Sequence, residues 1–387
     1  MGKTLDIVAA TALDYRSRAE HRLPRFLFDY IDGGANDEVT LAANSSDFSR
    51  IRLRQRVLRD VSHIDTTARL AAEQVSMPMA LAPIGLAGMM SRRGEAQAVR
   101  IANDAGIPFT LSTVGICSLS EVKDASTKPF WFQLYMMRDR EAVKSLLQRA
   151  LAVGCTTLVF TVDLPVTGMR HRDTRNGMLT SSLAGKVGKL RQLVIRPGWL
   201  ADVAIGGKPH TFGSLAALVP DAPNLNAFRA WIDAQFDPSV TWSDIEWLRS
   251  MWPGKLLIKG ILEVDDALAA VAIGADGVIV SNHGGRQLDS VASTISKLPA
   301  IATAVGGKVE VLVDGGVRSG VDVFKAIALG ANGVLIGRPW IWALAGGGQS
   351  GLADLLATFR REFEVAMALT GVTRVSDIGP ELIDAAG

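Results

Sequence analysis

Eight short apolar runs, most of them rich in β-branched residues, recur along this chain with helical stretches between them, and that alternation narrows the possible folds more than any other feature. The runs are Met77 to Pro83, Ile107 to Leu111, Phe130 to Leu134, Leu158 to Val162, Leu256 to Lys259, Gly277 to Val280, Val309 to Val313 and Gly333 to Ile336. Helical spacing fills gaps between them at Gly94 to Ala105, Asp139 to Ala152, Glu263 to Ile273 and Gly320 to Leu329. A strand followed by a helix and another strand pairs in parallel with its successor, because only a long crossover returns the chain to the same end of the sheet. Eight such units predict an α/β fold, a (β/α)8 TIM barrel. The 387 residues suit one with insertions, since barrels run from about 250 residues to more than about 400. A weak internal echo, Gly274-Ala275-Asp276-Gly277-Val278 against Gly330-Ala331-Asn332-Gly333-Val334, is what repeated βα units would leave.

The whole chain, 1–387, reads as a single domain in three parts. Residues 1–76 are a helical lead-in with the turn Asp32-Gly33-Gly34-Ala35 between two helices, and 77–370 hold the barrel. Between the run ending at Val162 and the helix beginning near Trp242 lies one long connection, so 181–240 reads as an insertion after strand 4, at the barrel mouth; connections that long are usually functional. Its stretch from Ala184 to Val219 sets Lys186, Lys189, Arg191, Arg196 and Lys208 against Asp202 alone, five basic residues to one acid. Leu190, Leu193, Ile195, Trp199 and Leu200 are interleaved with them, a mixture suited to an anionic membrane surface or to a cover over the mouth. A net charge of +2 leaves no basic excess for nucleic acid. The two cysteines, Cys117 and Cys155, are far apart, which fits a reducing compartment and argues against a metal site. The N-terminus lacks a secretory apolar core, and no run reaches the roughly 18 residues of a span. Cytoplasmic exposure is expected, with any membrane contact peripheral.

Polar residues collect just after the strands, where parallel barrels build their sites. Gln133 and Tyr135 follow the third, Asp163 and Arg170 the fourth; Lys259 ends the fifth; Ser281, His283 and Arg286 follow the sixth, Asp314 and Arg318 the seventh, and Gly337 and Arg338 the eighth. Of five histidines, His283 alone stands directly after a strand with a loop of its own, which makes it the preferred general base, with Asp163 as the carboxylate that would hold its tautomer. Arg170 and Arg286 could grip a substrate carboxylate. The pair Asp314-Gly315-Gly316-Val317-Arg318 and Gly337-Arg338 offers backbone donors and two guanidinium forks to a phosphate. Tyr30 and Tyr135, two of three tyrosines, could bond a hydroxyl, though a core ring with a wet tip is the commoner role.

Ser281-Asn282-His283-Gly284-Gly285-Arg286-Gln287 resembles the active-site signature of the FMN-dependent L-2-hydroxy acid dehydrogenases and oxidases. The resemblance runs from Leu23-Pro24 to Ile378 through Asp29-Tyr30, Ala82-Pro83, Phe132-Gln133-Leu134-Tyr135, Thr161-Val162-Asp163, Lys259-Gly260 and Ile336-Gly337-Arg338-Pro339. Asp32-Gly33-Gly34-Ala35, Arg92-Arg93-Gly94-Glu95 and Phe109 to Val114 look most like the respiratory, quinone-linked L-lactate dehydrogenases, with mandelate dehydrogenases next. The resemblance implies a base in His283, its partner in Asp163, a carboxylate clamp in Arg286 and Arg170, and hydroxyl contacts in Tyr30 and Tyr135. It implies FMN held by Ala82, Pro83, Ile84, Gly85, Ser112, Gln133, Thr161, Lys259, Ser281, Asp314, Gly315, Gly316, Arg318, Gly337 and Arg338. It also implies oxidation of L-lactate or a related L-2-hydroxy acid to the 2-keto acid, with electrons passed to quinone. A homotetramer on the cytoplasmic side of the cell membrane is expected, attached through about 184–219. Gly85 and Val114 stand where glycolate oxidases have alanine and tryptophan, which implies poor use of oxygen and a roomier pocket.

Overall fold

In the computed structural model, residues 8–176, 183–218, 231 and 234–384 are described, so parts of the expected insertion, 181–182, 219–230 and 232–233, lie outside the described residues. Eight parallel strands form one sheet: β1 Met79–Leu81, β2 Thr110–Ser112, β3 Trp131–Leu134, β4 Thr157–Thr161, β5 Lys255–Ile261, β6 Gly277–Val280, β7 Glu310–Val313 and β8 Gly333–Ile336. Neighbours in sequence are neighbours in the sheet, β8 pairs with β1, and a parallel bridge from Leu81 to Phe109 joins β1 to β2. The barrel is thereby closed, as the strand count predicts.

Both faces of these strands are buried, which is why they read as unbroken apolar runs. With side chains alternating at a period of two, one parity points to the barrel axis and the other to the helices. The inward set is Ala80, Trp131, Val159, Leu257, Ile279, Leu312 and Leu335, while Leu158, Phe160, Leu256, Ile258, Val278, Val311 and Val334 pack outward. A residue in the axial layer therefore announces what stands one layer higher on the same strand.

The lead-in differs from the expectation of helices alone. It has helices α1 Ala12–Arg22, α2 Arg25–Asp32 and α3 Val39–Arg50, and then an antiparallel hairpin, Ala68–Leu70 with Glu73–Val75. Leu70, Ala71 and Val75 join the axial cluster, the Ala71 N–H donates to Glu310 at 2.8 Å, and Glu73 accepts from the Trp131 indole at 3.2 Å. Glu310 and Trp131 begin their strands, so the hairpin is the floor of the barrel. Strands this short and this polar carry no alternating signal and form only because the barrel end gives them something to cover.

Helix α1 starts at a capping box between Thr11 and Asp14, a device worth about 1 kcal/mol. It packs along the final helix, Arg338–Thr370, which bends at Gly348. In the insertion a helix runs Leu183–Val194. Trp199, an expected membrane-facing residue, is instead 3% exposed, with its indole N–H donating to the Met89 carbonyl at 2.8 Å beside the barrel mouth. Val203 is buried as well.

Candidate active site

The polar ring at the mouth follows from strand parity. Two positions after each axial apolar residue comes a site residue: Trp131 then Gln133, Val159 then Thr161, Leu257 then Lys259, Ile279 then Ser281, Leu312 then Asp314, Leu335 then Gly337. These surround a cavity of about 380 Å³. Its wall includes Tyr30, Ala82, Pro83, Ile84, Gly85, Tyr135, Thr161, Arg170, Lys259, His283, Arg286, Asp314, Gly315, Gly316, Arg318, Gly337 and Arg338. Ser112, Gln133, Asp163 and Ser281 stand behind that wall and hold it. The Lys259 ammonium lies 3.0 Å from Asp314 and donates to the Ser281 hydroxyl at 2.8 Å. Burial alone would lower the Lys259 pKa, but Asp314 and Asp163 outweigh it and raise it, so the ammonium is a fixed charge.

The loop after β6 makes a sharp left-handed turn: His283, Gly284 and Gly285 have φ of 58°, 66° and 74°. A Cβ on Gly284 would come within 2.6 Å of the Arg338 guanidinium, and one on Gly285 within 2.6 Å of the Leu41 amide. His283, with a side chain in that region, holds a strained position of the kind kept at functional sites. Its Nδ1 lies 2.8 Å from Asp163 Oδ1. Desolvation holds the imidazole pKa below the usual 6.5 although Asp163 pulls the other way. Burial would raise the Asp163 carboxyl, but His283 and Lys259 win and keep it below 3.8. The pair is therefore a neutral imidazole donating Nδ1–H to a carboxylate, which leaves Nε2 free to accept a proton.

Beside this base stand two guanidinium groups. Arg286 and Arg170 lie 5.0 and 5.9 Å from the centre of the Tyr30 ring, on which both stack. Arg286 Nη1 donates to the Tyr30 carbonyl at 2.5 Å and the Gly33 carbonyl at 3.1 Å. Burial pushes the Tyr135 phenol far up, so it is a neutral donor, and its ring meets Phe236 edge to face at 5.4 Å. A neutral base, a phenol and paired cations around one space can bind a small carboxylate and take a proton from it.

At the other end of the cavity the two expected phosphate forks have different surroundings. Gly316, at φ 95°, lies so near the Asn44 carbonyl oxygen that a Cβ would come within 1.9 Å of it. Arg318 stacks over Trp342 at 5.1 Å, and burial lowers it only to about 10, leaving it charged. Arg338, by contrast, spends three donors on carbonyls, those of Asp32 at 3.1 Å, Gly284 at 2.8 Å and Gly33 at 2.8 Å, and so braces α2 against the β6 loop. Gly337 opens the long final helix, whose N-terminus favours an anion. Ala82 lines the wall, but its N–H is taken by Ile336 and its carbonyl by Trp340. Gln133 Nε2, Thr161 Oγ1 and Asp314 Oδ1 are buried without partners among the described residues. Unpaired donors and acceptors in a buried cradle ask for a ligand with a polar edge.

Several residues that build the site were not foreseen. Asn44 and Asn282 exchange amide hydrogen bonds at 2.8 Å in each direction, locking α3 to the β6 loop. Asp289 accepts from Thr40 at 2.8 Å and Val39 at 3.3 Å, at the start of α3. Phe236 reaches the mouth because it bridges Met137 and because its neighbour Asp237 pairs with Arg140 at 2.8 Å. Asp289, an acid two residues past the Ser281–Gln287 signature, is the available hint; nothing local marks Phe236.

The family described as FMN-dependent dehydrogenase matches residues 19–385. An L-lactate dehydrogenase of Caulobacter vibrioides is 52% identical over 377 residues, covering 97% of this chain and 98% of that protein. One of Stenotrophomonas maltophilia is 50% identical over 373 residues, covering 96% and 98%. Among solved structures, the monotopic membrane protein (S)-mandelate dehydrogenase superposes with a TM-score of 0.92 at 34% identity, covering 98% of this chain and all of that one. A mandelate oxidase follows with a TM-score of 0.82 at 36% identity, covering 97% and 98%.

Proposed function

The chain belongs to the FMN-dependent dehydrogenase family, and from that premise we propose that it oxidises L-lactate to pyruvate and passes the electrons to a quinone. The observation that carries the reading is the neutral His283, held by Asp163 at 2.8 Å, facing the same cavity as Arg286 and Arg170. FMN is the cofactor of the family, and the residues present fit it. Gln133, Thr161 and Asp314 offer unpaired polar atoms to a ring edge, while Gly316, Arg318 and the start of the helix that follows Gly337 suit a phosphate. When bound, FMN supplies the two-electron acceptor. Arg286 and Arg170 take the substrate carboxylate, Tyr30 and Tyr135 its hydroxyl, and His283 Nε2 receives the proton released as the carbinol becomes a carbonyl. Asp163 stabilises the imidazolium that results. Lys259, fixed by Asp314, would hold a positive charge in the wall of the cofactor's site, where it would favour an anionic group.

No helix among the described residues is long and apolar enough to cross a membrane. Attachment, in this reading, is peripheral. Val187, Leu190 and Val194 are exposed on one face of helix Leu183–Val194, with Ile195 and Ile205 exposed beyond it, and this surface carries the contact without the buried Trp199. Anaerobic addition of L-lactate to the yellow holoenzyme tests the function. Rapid bleaching, a higher kcat/KM for L-lactate than for (S)-mandelate, and reoxidation much faster with quinones or dyes than with oxygen are expected. A preference for (S)-mandelate would move the substrate assignment, and peroxide formation as fast as dye reduction would make the enzyme an oxidase.

A further inference from the structure

Two guanidinium groups in the cavity wall, Arg286 and Arg338, pair with no carboxylate among the described residues and share instead one stretch of backbone. The carbonyls of Tyr30 and Gly33 accept from Arg286, and those of Asp32 and Gly33 from Arg338. These acceptors form the last turn of α2, where carbonyls lack helical partners and the helix dipole is negative. Where Arg286 stands, and with it any anion it grips, is thus decided by where this turn stands.

Charged groups that the reaction does not use fix the turn from its far side. The buried Asp32 carboxylate accepts from Arg16 at 2.6 and 2.7 Å and from Arg172 at 2.8 Å. The other edge of Arg172 reaches Glu38, whose second oxygen accepts from the Gly34 N–H at 2.9 Å. Arg172 itself lies on the short helix His171–Arg175, directly after Arg170, whose Nε is 3.8 Å from Asp173. One side chain therefore ties the segment that carries Arg170 to the turn that holds Arg286.

We propose that Arg172, bridging Asp32 and Glu38, is a positioning residue that sets the spacing between Arg170 and Arg286 and so the fit of the substrate carboxylate. The proposal rests on the reading of the site as a 2-hydroxy acid clamp. A planar fork is suited to this task because it donates along two edges to two separate carboxylates, which a single ammonium does not reproduce.

Arg172→Gln holoenzyme is expected to keep its flavin. Its KM for L-lactate, and its Kd for pyruvate read from the flavin absorbance, should rise by roughly 10- to 100-fold, the scale on which a small misplacement acts, with kcat changed less. A merely structural role would lower the thermal midpoint and leave KM and Kd of the folded enzyme alone. Glu38→Gln removes half the bridge and should move both constants the same way by a smaller factor. In an Arg286→Lys background, Arg172→Gln should add little, because the grip it serves is already lost. Unchanged KM and Kd in the single variants, or effects that simply multiply in the double variant, overturn the proposal. If Arg172→Gln does not fold, Glu38→Gln decides alone, and unchanged constants there overturn it. A wild-type enzyme with neither turnover of L-lactate nor binding of pyruvate would instead overturn the functional reading.

Discussion

Asp163→Asn isolates the contribution of the carboxylate behind the base. The substitution preserves shape, so the cavity and the flavin content should persist, while the charge 2.8 Å from His283 Nδ1 disappears. Two losses follow. A hydrogen bond to a charged group is worth about 1.5–3 kcal/mol, and unit charges 2.8 Å apart attract by about 6 kcal/mol at an effective dielectric of about 20, an upper bound here. The second loss is of tautomer: an asparagine amide can turn its NH2 toward Nδ1 and drive the proton to Nε2, where it blocks the base. A net loss of roughly 3–5 kcal/mol from the transition state lowers the rate by about 10²- to 10⁴-fold. Anaerobic stopped-flow reduction of the flavin at saturating L-lactate measures it without interference from the acceptor. Reduction within tenfold of the wild-type rate would show that the carboxylate neither orients nor charges the base.

Burial places the His283 pKa below 6.5, and catalysis needs the neutral ring, so kcat/KM for L-lactate should stay level as pH falls to 6.5 and drop only below it. Stability has the same sign, since below 6.5 the unfolded chain binds a proton that the native ring resists; a kinetic limb above 6.5 would contradict both. Gly316→Ala sets a Cβ 1.9 Å from the Asn44 carbonyl oxygen at φ 95° and should cost at least about 2–4 kcal/mol, seen as a lower thermal midpoint and weaker flavin retention. Replacing Val187, Leu190 and Val194 with serine should leave dye-linked turnover intact but reduce sedimentation with anionic vesicles at least about tenfold, given that each buried apolar side chain contributes about 1.5–3 kcal/mol. Unchanged sedimentation would remove that helix face from the membrane contact.

How much of this could be read in advance depends on whether a residue's task is local. The strands were legible because runs such as Gly277–Val280 are buried on both sides, and Lys259, Ser281 and Asp314 were legible because they end such runs. His283 stood out by the glycines that follow it, which mark a backbone turn whatever the rest of the chain does. Trp199 was misjudged because an indole among basic residues looks the same whether it faces lipid or the Met89 carbonyl. The bracing task of Arg338 has no local sign, since the three carbonyls to which it donates come from segments far away in sequence. The floor hairpin lacks a local sign for a related reason: Glu73 looks like a solvent-facing residue until the barrel end above it, with the Trp131 indole, is in place.

That hairpin has a kinetic consequence. With Leu70, Ala71 and Val75 packed into one end of the barrel, the described residues leave the cavity facing the other. If hydroxy acid, keto acid and electron acceptor all use that mouth, each must leave before the next reaches the cofactor. Traffic of that kind gives parallel lines in double-reciprocal plots at several acceptor concentrations, and lets each reactant, in excess, inhibit by standing in the doorway meant for the other.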